Sequence, residues 1–117
     1  MGGYKLSRLV AAVEKFNQRD FFECHEILED LWFDERGKER DLYHGLLHLA
    51  VGLHHLTVKN NFKGTLLQFD KALVKLEKFE GINMGIDVTL LKKQIRNLVN
   101  KTIKKEVSKR LPKIRMH

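Results

Sequence analysis

The sequence predicts an all-α domain of about five helices, packed in an antiparallel, bundle-like array around one central apolar helix. Three observations carry this. Apolar residues recur at three- and four-residue spacing through most of the chain, as in Leu6, Leu9, Val10, Val13 and Phe16, which is the period of an amphipathic helix. No stretch alternates apolar and polar residues as a half-buried strand does. The run LYHGLLHLAVGLHHL at 42–56 leaves little face for water, so the helix it forms is covered on several sides.

Composition bounds the rest. A chain of 117 residues with 43% hydrophobic content suits one domain over 1–117 and argues against intrinsic disorder. The single Cys24 rules out an intrachain disulfide and a CxxC metal site. The N-terminus lacks the apolar core of a signal sequence, and the longest apolar run is too short and too polar to span a membrane. The expectation is a cytoplasmic protein with no membrane partner. The charge of +7 is uneven, because residues 88–117 hold 10 Lys/Arg against one Asp/Glu while residues 1–87 hold 12 against 14.

Taken in order, the first helix is expected over about 5–17, where Asn17-Gln18-Arg19 breaks the stripe. Asp20 is the expected N-cap of a second helix over about 21–35, with Glu23 as the reciprocal member of a capping box. Phe21, Cys24, Leu28 and Leu31 lie along one side of it, and Phe22, His25, Glu29 and Trp32 along the next. Gly37 is the expected C-cap or turn residue. The third helix starts near 39–41 and runs to about 59. Its Gly45 and Gly52 are seven apart and imply close approach of another backbone or of aromatic bulk. A fourth helix over about 62–79 buries Phe62, Leu66, Phe69, Leu73 and Leu76. Residues 80–86 form a loop, and Asp87 caps a fifth helix that carries Val88, Leu91, Ile95, Leu98, Thr102 and Val107 inward until Pro112 stops it. The end, KIRMH, either frays or packs in a homo-oligomer.

Five of the six histidines lie on the second and third helices. His25 and Glu29 are four apart and leave one helical face about a turn from each other. His44, His48 and His55 form an approximate second stripe, with His54 turned about 100° away. Converging imidazoles and a carboxylate are ordinary ligands for a divalent transition metal, with a position left for water. His25, Glu29 and His48 are the candidate ligands. Phe22, Trp32, Asp41 and His44 would wall or orient the pocket, and His25, Glu29, His48 and His55 are the candidate catalytic groups of a metal-dependent hydrolase. The competing reading makes His25 and Glu29 a structural hydrogen-bonded pair in a scaffold or interaction domain. Cys24 points away from His25 and is expected in the core.

The segment FNQRDFFECHEILEDLWF, with His25-xxx-Glu29-xx-Trp32, resembles a small prokaryotic all-helical family catalogued as domain of unknown function 309. The likeness continues through Tyr43-His44-Gly45 to Val51, His55, Asn61-xx-Gly64 and Gly85-Ile86-Asp87-Val88, covering roughly 10–100. The resemblance implies an all-α fold and a metal-binding role for His25, Glu29 and Trp32, without a particular reaction. The family usually has glutamine at the position of His48 and often an aromatic at that of His54, which makes His48 a local addition to any shared ligand set.

The basic end offers a different function. Lys92, Lys93, Arg96, Lys101, Lys104, Lys105, Lys109, Arg110, Lys113 and Arg115 are expected on the outer surface of the last helix and its extension. Lys101, Lys104 and Lys105 are the candidate anion-binding residues for weak, salt-sensitive contact with nucleic acid. No helix-turn-helix, zinc finger or stacking-aromatic pattern marks a reader of bases. A solvated basic helix explains the same residues.

Overall fold

A computed structural model describes residues 2–105 and 110–117, with side chains from residue 5. Val107 and Lys109 lie outside the described residues. The fold is all-α, as the periodicity predicts: α1 (Gly2–Asn17), α2 (Phe21–Asp34), α3 (Glu39–His54), α4 (Phe62–Leu76) and α5 (Val88–Ile103). Each helix packs on its neighbour in sequence, and α3 lies between α2 and α4. Nine α3 residues are buried, from Leu42 to Leu53, which makes it the centre of the core.

Local chemistry sets the helix boundaries. At the start of α2 the Asp20 carboxylate accepts the Glu23 N–H, satisfying one of the donors that a helix start leaves open. The second half of the expected capping box is absent, because the Asp20 N–H donates to the Lys15 carbonyl. Glu35, not Gly37, caps α2 in extended conformation. Its carboxylate is buried and accepts from Lys5 Nζ at 2.9 Å and the Gly37 N–H at 2.8 Å. These partners, Lys5 foremost, hold the carboxyl below the usual glutamate range. Asn61 and Asp87 cap α4 and α5 by accepting the Gly64 and Leu90 N–H groups.

The two glycines of α3 are required by the α3–α4 contact. A Cβ on Gly52 would stand 2.7 Å from the Phe69 ring, and one on Gly45 would stand 2.8 Å from the Leu76 side chain and 3.3 Å from the Ala72 carbonyl. Both aromatic bulk and backbone therefore approach this helix closely. Phe62, Leu66 and Leu73, expected in the core, are only part-buried, because the α3 contact falls on Phe69, Ala72 and Leu76.

Several expectations are corrected at the ends of elements. The helix expected to 59 changes character at His55, where a π-helical turn over His55–Lys59 follows α3 and closes at Asn60 in left-handed conformation. The 80–86 loop contains a hairpin of two-residue strands, β1 (Ile82–Asn83) and β2 (Ile86–Asp87), with Met84 and Gly85 at positive φ. α5 ends at Ile103, nine residues before Pro112. Lys92 is buried rather than exposed, donating to the Phe79 carbonyl and Glu80 at 2.7 Å each. The C-terminal residues dock on their own chain. Asn17 Nδ2 donates to the Ile114 carbonyl at 3.0 Å and Asn17 Oδ1 accepts the Ile114 N–H at 2.9 Å. The His117 N–H reaches the Gly85 carbonyl, Met116 bridges to Ile86, and the Ile114 side chain is buried. Among the described residues no helix is long and apolar enough to cross a membrane.

Candidate functional site

Packing Phe21, Cys24, Leu28 and Leu31 inward leaves Phe22, His25, Glu29 and Trp32 along the seam between α2 and α3. The two helices run antiparallel, so the start of α2 meets the end of α3. There the Phe22 ring packs against His25 at 6.0 Å and against His54 at 6.1 Å. His25 Nε2 lies 3.6 Å from Glu29 Oε2. Phe21, Phe22, His25, Val51, His54, His55 and Lys59 line a cleft of about 190 Å³.

Electrostatics distinguish this cleft. Its lining has three imidazoles and the Lys59 ammonium but no carboxylate. His55 Nδ1 is buried and has no hydrogen-bond partner, a costly state for a ring nitrogen. The cleft ends on the π-helical turn, a local widening that recurs at functional sites.

The other end of the seam is a stacked column. The Arg40 guanidinium lies 4.4 Å from the centre of the Trp32 ring. Trp32 stacks on His44 at 4.8 Å and 23°, and His44 meets His48 at 4.4 Å. His48 Nδ1–H donates to Gln68 Oε1 of α4 at 2.8 Å. Burial pushes both imidazoles below the usual histidine range. For His44 the neighbouring His48, Lys75 and Arg40 push further, and for His48 Lys71 and Lys75 do so against the Gln68 hydrogen bond.

The polar pocket expected from sequence is thus two separate groups. Phe22 and His25 stand with His54 and His55 at the cleft, with Glu29 beside His25 but outside the lining, while Trp32, His44 and His48 stand in the column. His48 faces α4, where Gln68 takes its Nδ1–H, and this separates it from the proposed ligand pair His25 and Glu29. Among the described residues no three His, Cys, Asp or Glu side chains are grouped so as to hold a metal ion. Asp41 belongs to neither group. It pairs with Lys75 at 3.4 Å and Lys78 at 2.5 Å, and Lys78 foremost holds its carboxyl below the usual range. Cys24 is buried in the core, and burial pushes its thiol up to about 12, so it is no nucleophile.

A profile of the family described as Domain of unknown function (DUF309) matches residues 9–67. The chain belongs to this family. The match runs from α1 into α4 and therefore includes the DUF309 chain's cleft and its stacked column. YpuF, an uncharacterized protein of Bacillus subtilis (strain 168), is 50% identical over 44 residues, 37% of this chain and 25% of that protein. An uncharacterized protein of Aquifex aeolicus (strain VF5) is 33% identical over 75 residues, 60% of this chain and 22% of that protein. This DUF309 chain spans about a quarter of the length of the curated relatives it matches.

The basic residues of the C-terminal end lie outside the DUF309 match. Lys101, Lys104 and Lys105 are exposed at the end of α5, and Lys101 lines a cavity of about 340 Å³ with Gln94, Asn97, Leu98, Arg110, Leu111 and Pro112. Arg96 pairs with Glu77. Sequence reasoning missed His54 and Lys59 as cleft residues and Gln68 as the partner of His48. The doublet His54-His55 before Asn60-Asn61 was the one available signal, a polar cluster where a buried helix loosens.

Proposed function

We propose that this domain is a binding module for a compact anion with a planar apolar body, of which an aromatic carboxylate is the simplest case. The observation that carries the reading is the cleft lining: Lys59 and three imidazoles, no carboxylate, and apolar walls from Phe21, Phe22 and Val51. A cavity of about 150 Å³ holds one benzene ring, so about 190 Å³ admits a ring with its acid group. Lys59 and ring N–H donors would take the carboxylate in charge-assisted hydrogen bonds. A lone cysteine kept out of disulfides favours a cytoplasmic setting.

Calorimetric titration with benzoate tests this. Saturable binding that weakens about tenfold or more in Lys59→Met, the loss of one charge-assisted contact, supports the reading. Binding equally strong in Lys59→Met, or none in the parent, contradicts it.

The 3.6 Å approach of His25 Nε2 to Glu29 Oε2 favours a second reading, a divalent transition metal ion held by that pair and water. Elemental analysis after chelator-free purification decides it. One equivalent in the parent, and much less in both His25→Ala and Glu29→Ala, supports the site; no metal after attempted reconstitution removes it.

A further inference from the structure

The α3–α4 groove carries a second arrangement of ligand atoms, independent of the cleft. We infer that His44 and His48 form a two-imidazole site for a divalent transition metal ion, completed by water from the open groove. The residues are four apart on α3, which places their rings on adjacent turns of one face, and the ring centroids are 4.4 Å apart. Imidazole is a favoured donor for nickel, copper and zinc.

Partners on both sides prepare the pair. Gln68 Oε1 accepts His48 Nδ1–H at 2.8 Å, which fixes the tautomer that leaves the Nε2 lone pair for a metal, the usual role of an outer hydrogen bond to a ligand histidine. Trp32 stacks on the face of His44 and limits its rotation. Burial, foremost, and nearby cations push both rings towards the neutral form, the form in which imidazole binds a metal. The groove is about 390 Å³, lined by His44, His48, Asp70, Lys71, Val74 and Lys75, with room for several waters. Lys71 and Lys75 oppose a cation. Asp41 offsets Lys75 at 3.4 Å, and Asp70 adds a negative charge to the groove. Two protein ligands against this field give a site of modest affinity that follows the Irving–Williams order, copper above nickel and zinc.

Trp32 is the single tryptophan of the chain and stacks on one of the ligands, so it reports the site directly. The full chain is titrated with Ni²⁺, a paramagnetic quencher, while Trp32 fluorescence is followed, and EDTA is then added. The expected result is saturable quenching at one equivalent, reversed by EDTA and absent in His48→Gln. Gln68→Leu weakens it about tenfold, the effect of losing a partner that orients a ligand. His25→Ala and Glu29→Ala leave it unchanged, which separates this site from the cleft. His44→Asn, checked by circular dichroism, carries the test if His48→Gln does not fold. No saturable quenching in the parent, quenching of equal affinity in the folded His48 or His44 variant, or loss with His25→Ala overturns the proposal.

Discussion

At the N-terminal half of α3, His44 and His48 each have a fixed neighbour beside an open groove: Trp32 stacks on one, Gln68 bonds the other, and the two rings touch. At its C-terminal end, His54 and His55 flank a cleft, the helix widens into a π-helical turn, and His55 Nδ1 has no partner. One helix thus presents the same side chain in a prearranged column and in an open pocket. The difference comes from neighbours. α4 supplies Gln68 opposite His48, whereas beyond His55 the chain turns away through Asn60, and Phe22 with Lys59 is left to form the walls.

The largest expected effect breaks the packing beneath both regions. Gly52→Ala drives a methyl to 2.7 Å from the Phe69 ring, in a core where overpacking costs about 1–3 kcal/mol. Gly45→Ala meets the buried Leu76 side chain at 2.8 Å and the Ala72 carbonyl at 3.3 Å, slightly farther than the Phe69 ring stands from Gly52, and its loss is expected to be the smaller of the two. Urea denaturation of both variants checks the order.

Acid should act on the column. The folded-state values of His44 and His48 are depressed, so between those values and the unfolded value of about 6.5 the unfolded chain binds more protons. Stability is therefore complete above about pH 6.5 and is lost as pH falls below it. His48→Gln should flatten that slope in denaturation curves taken across the range; an unchanged slope would show that the column does not set it.

The smallest effect concerns Tyr43. Its hydroxyl, like His55 Nδ1, is buried without a partner, but it sits in the sealed core, where burial and the nearby Glu35 and Glu39 push it up to about 12. Removing an unsatisfied buried hydroxyl costs little, so Tyr43→Phe should fall within about 1 kcal/mol of the parent in denaturant melts. A loss well beyond that would mean the hydroxyl has a partner.

Much of this fold was legible in the sequence because its determinants are local. Asp20, Asn61 and Asp87 sit where caps are needed, and Gly45 with Gly52 marks a close approach of α4 to α3. The hairpin was not legible, since strands of two residues carry no alternation. Nor was the docking of the C-terminus, which depends on Asn17 pairing with Ile114 across 97 residues. At the site, the four-residue spacing gave His25 with Glu29 and His44 with His48. Their division into two groups depends on how α3 is rotated against α2 and α4, which spacing along one helix does not encode.

The central claim is that the α2–α3 cleft binds a small planar anion. Its most direct test is a ¹H–¹⁵N nuclear magnetic resonance titration of the full chain with benzoate. Saturable shifts confined to Phe22, His25, Val51, His54, His55 and Lys59, with Trp32, His44 and His48 unmoved, are the predicted result. Unchanged spectra, or shifts gathered on Lys101, Lys104 and Lys105 of the basic helix instead, would contradict it.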